Sequence, residues 1–533
     1  MDKLKSLVIS HRLLVIVVII IASFLRLYNI TETPPGFYPD EAIYANNGVE
    51  AWETGPLSGG LKIFYPENNG REGLWPNIIG FFIVNFGHEP WVSRSVAAVF
   101  GILTVLGVYF LTRELFNIRT SDVLNIDSDN FETSNVQKLR INEKIALLAT
   151  FLMATSFWHI LFSRIGFRAI MAPFFLAWGI YFLLSSLNSI KAKSYKLKAI
   201  LGGIFFGLGF HTYIAYRAMP LLALIIIGYW LLVNKEWQIR KKIILITFLF
   251  SLFSLIVFAP LGIYFIQNPQ DFFGRTTQVS IFNSESPIKN LSINILKTAG
   301  MFNFSGDYNW RHNYAGKPEL FWPVGILFII GIIIGIKNMF GNWKLEIENS
   351  ENSNFQIIIF SWLIIAALPI VVSNEGLPHA LRAILMAPVV FILAGAGGVW
   401  LYDLIKNLAI INDSKIKLII LNVSAAIFLT FLIFEAYNSY FIKWGKSEHI
   451  QGAFSADYVE IGRELNALPK ELPKYVIVEA GGVDVRGIPM PAQTIMFITD
   501  TFTPEKQKEK NIYYVLPSQK NLIPENSYKI ILR

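Results

Sequence analysis

Long apolar runs separated by short polar segments dominate the chain. A helix rises roughly 1.5 Å per residue, so crossing about 30 Å of hydrocarbon takes roughly 20 apolar residues. By that measure about eleven spans are predicted, near 10–28, 92–113, 144–162, 169–188, 199–216, 219–233, 243–265, 321–338, 356–373, 384–402 and 417–438. The first apolar run, Leu13 to Leu25, follows Lys3, Lys5 and Arg12 in the manner of a signal peptide. No small-residue cleavage site follows it, and it reads as a retained first helix. The expected fold class is mainly α: a polytopic transmembrane helical bundle with external amphipathic helices and a small C-terminal α/β domain.

Three segments break the pattern. After Pro39, Ala42, Ala45, Val49 and Trp52 recur on one helical face, which predicts an amphipathic helix lying on the membrane surface. Residues 119–143, rich in Ser, Asn, Asp and Glu, predict a flexible loop. Beyond about residue 440, Tyr475–Glu479, Ile512–Leu516 and Tyr528–Leu532 read as short strands and Ala456–Leu468 as an amphipathic helix. The chain therefore divides on sequence grounds into a membrane domain, 1–439, and an α/β domain, 440–533.

Only 16% of residues are charged and 53% are hydrophobic, against about 25% charged in soluble domains. The net charge of +8 would suit nucleic acid. The basic residues, however, sit in short segments between apolar runs, as topology determinants do. With no cysteine, disulfides and thiolate metal sites are excluded. Lys191, Lys193, Lys196 and Lys198, then Lys235, Arg240, Lys241 and Lys242, then Lys406, Lys415 and Lys417 fall on one side if the spans alternate. By the positive-inside rule that side, with the N-terminus, is cytoplasmic. The other side then carries loops 29–91 and 266–320, turns 163–168 and 374–383, and the tail. A multi-pass protein of the cell membrane with an extracytoplasmic C-terminal domain is expected.

Candidate chemistry gathers on that outer side. Asp40 and Glu41 open the helix after Pro39. Asp and Glu there serve as cap and dipole partners, but an acid at the hydrocarbon boundary can also act as general base on an acceptor hydroxyl or amine. Neighbouring helix positions point about 100° apart, which selects Asp40 as the one facing the reacting centre. Hard carboxylate oxygens would also accept Mg²⁺ or Mn²⁺ at Asp40 and Glu41, although two acids alone do not demand a cofactor. Arg164 and Arg168 in the third-to-fourth turn, Arg217 after the fifth span, and His379 and Arg382 before the tenth supply positive charge. Arg binds phosphate bidentately, and external short loops are normally poor in Arg; for Arg217, snorkelling to headgroups is an equal reading. In Gly306–Tyr314, Asp307, Arg311 and His312 suit sugar or acceptor binding, while Trp310 and Tyr314 suit an interfacial aromatic belt. The seven histidines are dispersed, with no HExxH or i, i+4 pair, and His88 and His159 read as structural.

Taken together, Pro39-Asp40-Glu41, the block from Leu74 through Trp91-Val92-Ser93-Arg94 into Gly101-Ile102-Leu103, and Phe162–Arg168 resemble the glycosyltransferase C superfamily. The likeness is to its protein-mannosyltransferase and aminoarabinose-transferase-like branch. The resemblance implies a polyprenyl-phosphate sugar donor, a base matching Asp40, and inversion at the anomeric carbon. It further implies a protein, lipid or glycan acceptor and a cationic cradle of Arg164, Arg168, His379 and Arg382 for the leaving phosphate. Many relatives carry an acid just after the arginines of the third-to-fourth turn, where this chain reads Arg168-Ala169-Ile170-Met171. The Trp-Trp-Asp motif of oligosaccharyltransferase subunits is also missing, which disfavours transfer of a whole oligosaccharide to Asn. A lipid-linked sugar flippase would place its polar residues near the bilayer midplane, and an assembly protein would leave these outer acids and arginines without joint purpose.

Overall fold

The structure, a computed structural model, describes residues 2–116, 128–278, 280–340, 355–408 and 414–533. The chain opens with α1 (Asp2–Leu27), followed by α2 (Pro39–Thr54), the hairpin β1 (Phe64–Tyr65) and β2 (Arg71–Glu72), and α3 (Leu74–Phe86). The bundle continues through α4 (Pro90–Phe116), α5 (Ser128–Ala154), the short α6 (Phe157–Phe162), α7 (Met171–Asn188), α8 (Tyr195–Gly209), α9 (Pro220–Val233) and α10 (Trp237–Gln267). Two helices outside it, α11 (Pro269–Gln278) and α12 (Pro287–Gly300), lead to α13 (Trp322–Phe340), α14 (Phe355–Val371), α15 (Ala387–Asn407) and α16 (Lys415–Tyr437).

Among the described residues, seven helical stretches are long and apolar enough to cross a membrane, which marks a multi-pass membrane protein. The expected count of about eleven is thus not reached. The other four predicted spans fall on α1, α5 with α6, α8 and α14. α8 and α14 hold only 15 and 17 residues, about 23 and 26 Å of helix. The third predicted span is broken, since α5 stops at Ala154 and α6 begins at Phe157 after the Ser156 cap. Burial sorts the helices: the apolar windows of Arg168–Asn188 and Arg382–Asn407 are 83% buried, so α7 and α15 form the centre, whereas Lys415–Trp444 is 6% buried and lies at the rim.

The loop expected over 119–143 is corrected in part. Residues 117–127 lie outside the described residues, but α5 is helical from Ser128, because extending a helix already nucleated in its apolar half costs little.

The tail contains α17 (Glu448–Ala453), α18 (Ala456–Ala467), β3 (Lys474–Val478), β4 (Asp484–Val485), β5 (Ile488–Pro489), α19 (Ala492–Thr499), α20 (Pro504–Lys510), β6 (Ile512–Val515) and β7 (Tyr528–Leu532). β6, β3 and β7 form a parallel sheet in that order, with Lys474 opposite Ile512 and Tyr528. Its core takes in Ile43 of α2.

The predicted surface helix is instead a buried one. Ten of the 16 residues of α2 are buried, because α3 covers one side and α19 the other. Gly48 and Gly80 allow the α2–α3 approach: a Cβ on Gly48 would lie 2.2 Å from the Pro76 carbonyl oxygen. Asn46 Nδ2 donates to Gln493 Oε1 at 3.0 Å, and Thr494 Oγ1 donates to the Phe37 carbonyl at 2.8 Å, which ties α2 and its approach to α19.

Candidate functional site

The two acids of α2 meet different surroundings. Glu41, at the third helical position, is fully buried. Its Oε1 accepts the Gly166 N–H at 2.6 Å, its Oε2 accepts the Tyr38 N–H at 3.2 Å, and Arg94 donates to both oxygens at 3.3 and 3.2 Å. Arg94 also donates to the Pro34 and Gly36 carbonyls at 2.6 and 2.9 Å. Read from sequence, Glu41 belongs beside Asp40 as a second catalytic acid or metal ligand. In the structure its two oxygens are taken up by Arg94 and by the Gly166 and Tyr38 N–H groups. Asp40 is only partly buried, and one carboxylate oxygen accepts Asn68 Nδ2 at 2.7 Å. Asn68 and Asn69 adopt left-handed φ of 51° and 63° in the β1–β2 turn, which Asn tolerates, and that turn brings Asn68 and β2 to α2.

β2 supplies two residues that were not selected on sequence grounds. Glu72, nearly buried, receives Arg168 as a direct ion pair and Arg217 at 3.7 Å. Arg71 is 2% exposed; it donates to the Glu67 carbonyl at 2.8 Å and lies 4.9 Å over the Tyr44 ring. Its Nε and Nη1 are buried with no protein partner. Burial pulls the Arg71 guanidinium below its ordinary value, partly offset by Tyr44 and Asp40. Burial pushes the Tyr44 phenol up, with Arg168, Asp40, Arg71 and Glu72 all acting on it. One cluster therefore holds the carboxylates Asp40 and Glu72 and the guanidiniums Arg71, Arg168 and Arg217, a surplus of one positive charge. An Arg-Glu pair in a loop where Arg is uncommon was the available signal.

The remaining predicted cations separate. Arg164 is fully buried, donates to the Leu25 and Thr33 carbonyls at 3.4 and 2.8 Å, and lies over the Tyr440 and Phe441 rings. Its Nε is also buried with no protein partner. Arg217 also donates to the Phe272 carbonyl at 2.7 Å, between the rings of Phe265 and Phe272. Arg382 turns onto its own loop, bonding Ser373 and pairing with Glu375 at 3.0 Å.

Asp307, His312 and His379 come together, although the histidines look dispersed in sequence. Asp307 Oδ2 lies 3.2 Å from His312 Nδ1 and 3.8 Å from His379 Nδ1, and the two imidazoles stack at 4.9 Å. Arg311 places its guanidinium 4.0 Å from the Tyr38 ring, which joins this group to α2. Trp310 stacks on His449 at 4.7 Å. Beside it an open cavity of about 580 Å³ is lined by Tyr308, Trp310, Arg311, Glu448 and His449.

Neither a family model nor a curated protein sequence matches the chain. Solved structures do. The apo oligosaccharyltransferase of Archaeoglobus fulgidus matches with a TM-score of 0.56 at 12% identity, over 96% of this chain and 65% of that one. ArnT from Cupriavidus metallidurans bound to undecaprenyl phosphate matches at 0.53 and 14% identity, over 97% and 89%. These neighbours are glycosyltransferases of the C superfamily, and this chain shares their fold. The A. fulgidus enzyme AglB, in complex with an inhibitory peptide and a dolichol-phosphate, also has this glycosyltransferase C fold (TM-score 0.53, 15% identity, 92% and 63% covered). This chain spans less than two thirds of the archaeal enzymes' length. At these identities the likeness is one of fold.

Proposed function

We propose that the chain is a membrane glycosyltransferase that moves a sugar from a polyprenyl-phosphate donor to an acceptor on the outer side of the cytoplasmic membrane. The observation that carries this reading is the cluster around Asp40: one partly exposed acid beside three guanidiniums, of which Arg71 keeps two buried donor nitrogens without partners. A phosphate oxyanion supplies the acceptors those donors lack, and burying an unpaired donor otherwise costs about 1–3 kcal/mol. Undecaprenyl phosphate in ArnT and dolichol-phosphate in AglB, on the same fold, support a polyprenyl-phosphate donor.

The chemistry is then a single displacement. Asp40 takes the proton of the acceptor hydroxyl or amine as its oxygen or nitrogen bonds to the sugar C1. The C1–O bond breaks, and its electron pair leaves with the polyprenyl phosphate, with inversion at C1. Charge developing on the leaving phosphate is met by Arg71 and the Glu72-held Arg168 and Arg217, an arrangement already oriented before reaction. Glu41 and Arg94 position α2 and take no proton. The acceptor enters by the cavity beside Arg311, where Trp310 and His449 offer a flat face to a sugar ring.

The test is a release assay. Purified protein given polyprenyl-phosphate sugar and envelope acceptors should liberate polyprenyl phosphate, and mass spectrometry of envelope glycans should lose one sugar when the gene is deleted. Absence of both outcomes would sink the transferase reading.

A further inference from the structure

We propose that Asp307, His312 and His379 bind one divalent transition-metal ion of the zinc class, which clasps the loop before α13 to the turn before α15. The site is separate from Asp40 and does not depend on the transfer reading. One ligand atom from each of the three residues lies within 4.8 Å of the others. Ligands about 2.1 Å from a tetrahedral Zn²⁺ stand roughly 3.4 Å apart, and Asp307 Oδ2 lies 3.2 and 3.8 Å from the two imidazole Nδ1 atoms. Two neutral imidazoles and one carboxylate suit Zn²⁺ and neighbouring transition metals; Mg²⁺ and Ca²⁺ take oxygen ligands.

The surroundings orient the ligands. Asp307 Oδ1 accepts the Asn309 N–H at 2.8 Å and Oδ2 accepts the Ala380 N–H at 2.9 Å, so the carboxylate is held by both loops while lone pairs remain for an ion. An independent observation comes from Glu319. It is 3% exposed, its Oε1 accepts the Asp307 N–H at 2.9 Å, and its Oε2 is buried with no partner among the described residues. Two carboxyl groups thus lie buried beside two imidazoles, a donor set that a transition-metal dication matches. Because Arg311 directly precedes His312, an ion bound there also fixes the guanidinium over Tyr38.

The experiment uses the full chain in detergent, stripped with chelator and titrated with Zn²⁺ by calorimetry, with metal content read by mass spectrometry. One ion per chain is expected. His312→Ala and His379→Ala should each raise Kd by about 100-fold or more, whereas Asp40→Asn should bind as the wild type does. Co²⁺ added to the stripped wild type should give the visible absorption of tetrahedral coordination, a readout independent of whether the variants fold. No stoichiometric Zn²⁺ and no such Co²⁺ spectrum, or unchanged affinity in the His312→Ala/His379→Ala double variant, would overturn the site. Binding lost in Asp40→Asn would overturn its separateness.

Discussion

Asp40 and Glu41 are neighbours in sequence and divide into two tasks, because successive helix positions turn by about 100°. Glu41 points inward to Arg94 and the Gly166 N–H; Asp40 faces Asn68 at the edge of the arginine cluster. Removing one partner of a buried ion pair strands the other and costs about 3–5 kcal/mol. Glu41→Ala should therefore sharply lower the melting temperature in detergent, and an unchanged melting curve would remove Glu41 from the scaffold. Arg71→Ala should raise the KM for the lipid donor about tenfold or more, the value of a lost charge-assisted hydrogen bond. Arg382→Ala should leave that KM near wild type, since Arg382 is occupied by Ser373 and Glu375. The reverse ranking in donor titrations would restore the grouping read from sequence. That Asp40 and Glu41 face different surroundings could be read from sequence because helix geometry is periodic. Arg71 and Glu72 could not, because a loop has no period and their meeting with Arg168 and Arg217 is a long-range contact.

Most helices were legible as elements, since apolar runs of span length have few other stable homes. The strands of the tail fell where alternation placed them. α2 was legible as a helix but not as a buried one: its Ala42, Ala45 and Val49 stripe is real, yet Ile43 and Asn46 on the other side are covered by a tail more than 400 residues away. The α2–α3 approach depends on Gly48 and Gly80. Gly48→Val should displace α2 and cost about 1–3 kcal/mol or more by overpacking. Thermal unfolding and protease nicking within 29–91 check this, and wild-type behaviour in both would show that the contact is not needed.

At the scale of the whole molecule, the tail closes over the helix that carries Asp40. Arg486 donates to both oxygens of Glu50 at 2.7 Å, Lys506 pairs with Glu53, and Asp500 meets His88 at 3.2 Å and Lys506 at 2.6 Å. Burial alone would raise the Asp500 carboxyl, but hydrogen bonds from His88 and Lys506 outweigh it and hold the group down to about 2. A lowered acid stabilises docking above its ordinary value near 4 and loses that contribution as pH falls from about 4 toward 2. Limited proteolysis should show the wild-type tail loosening across that window. Asp500→Asn should be looser already at neutral pH; equal cleavage of both proteins at neutral pH would contradict the tether. The tail's contact with α2 was invisible in sequence because ion pairs across such separations leave no local pattern.

The account rests above all on Asp40 as the base, and single-turnover release of polyprenyl phosphate by Asp40→Asn measures that most directly. With its melting curve unchanged, the variant should release the carrier at least about 100-fold more slowly than the wild type, the usual worth of a general base. Release at the wild-type rate would contradict the account.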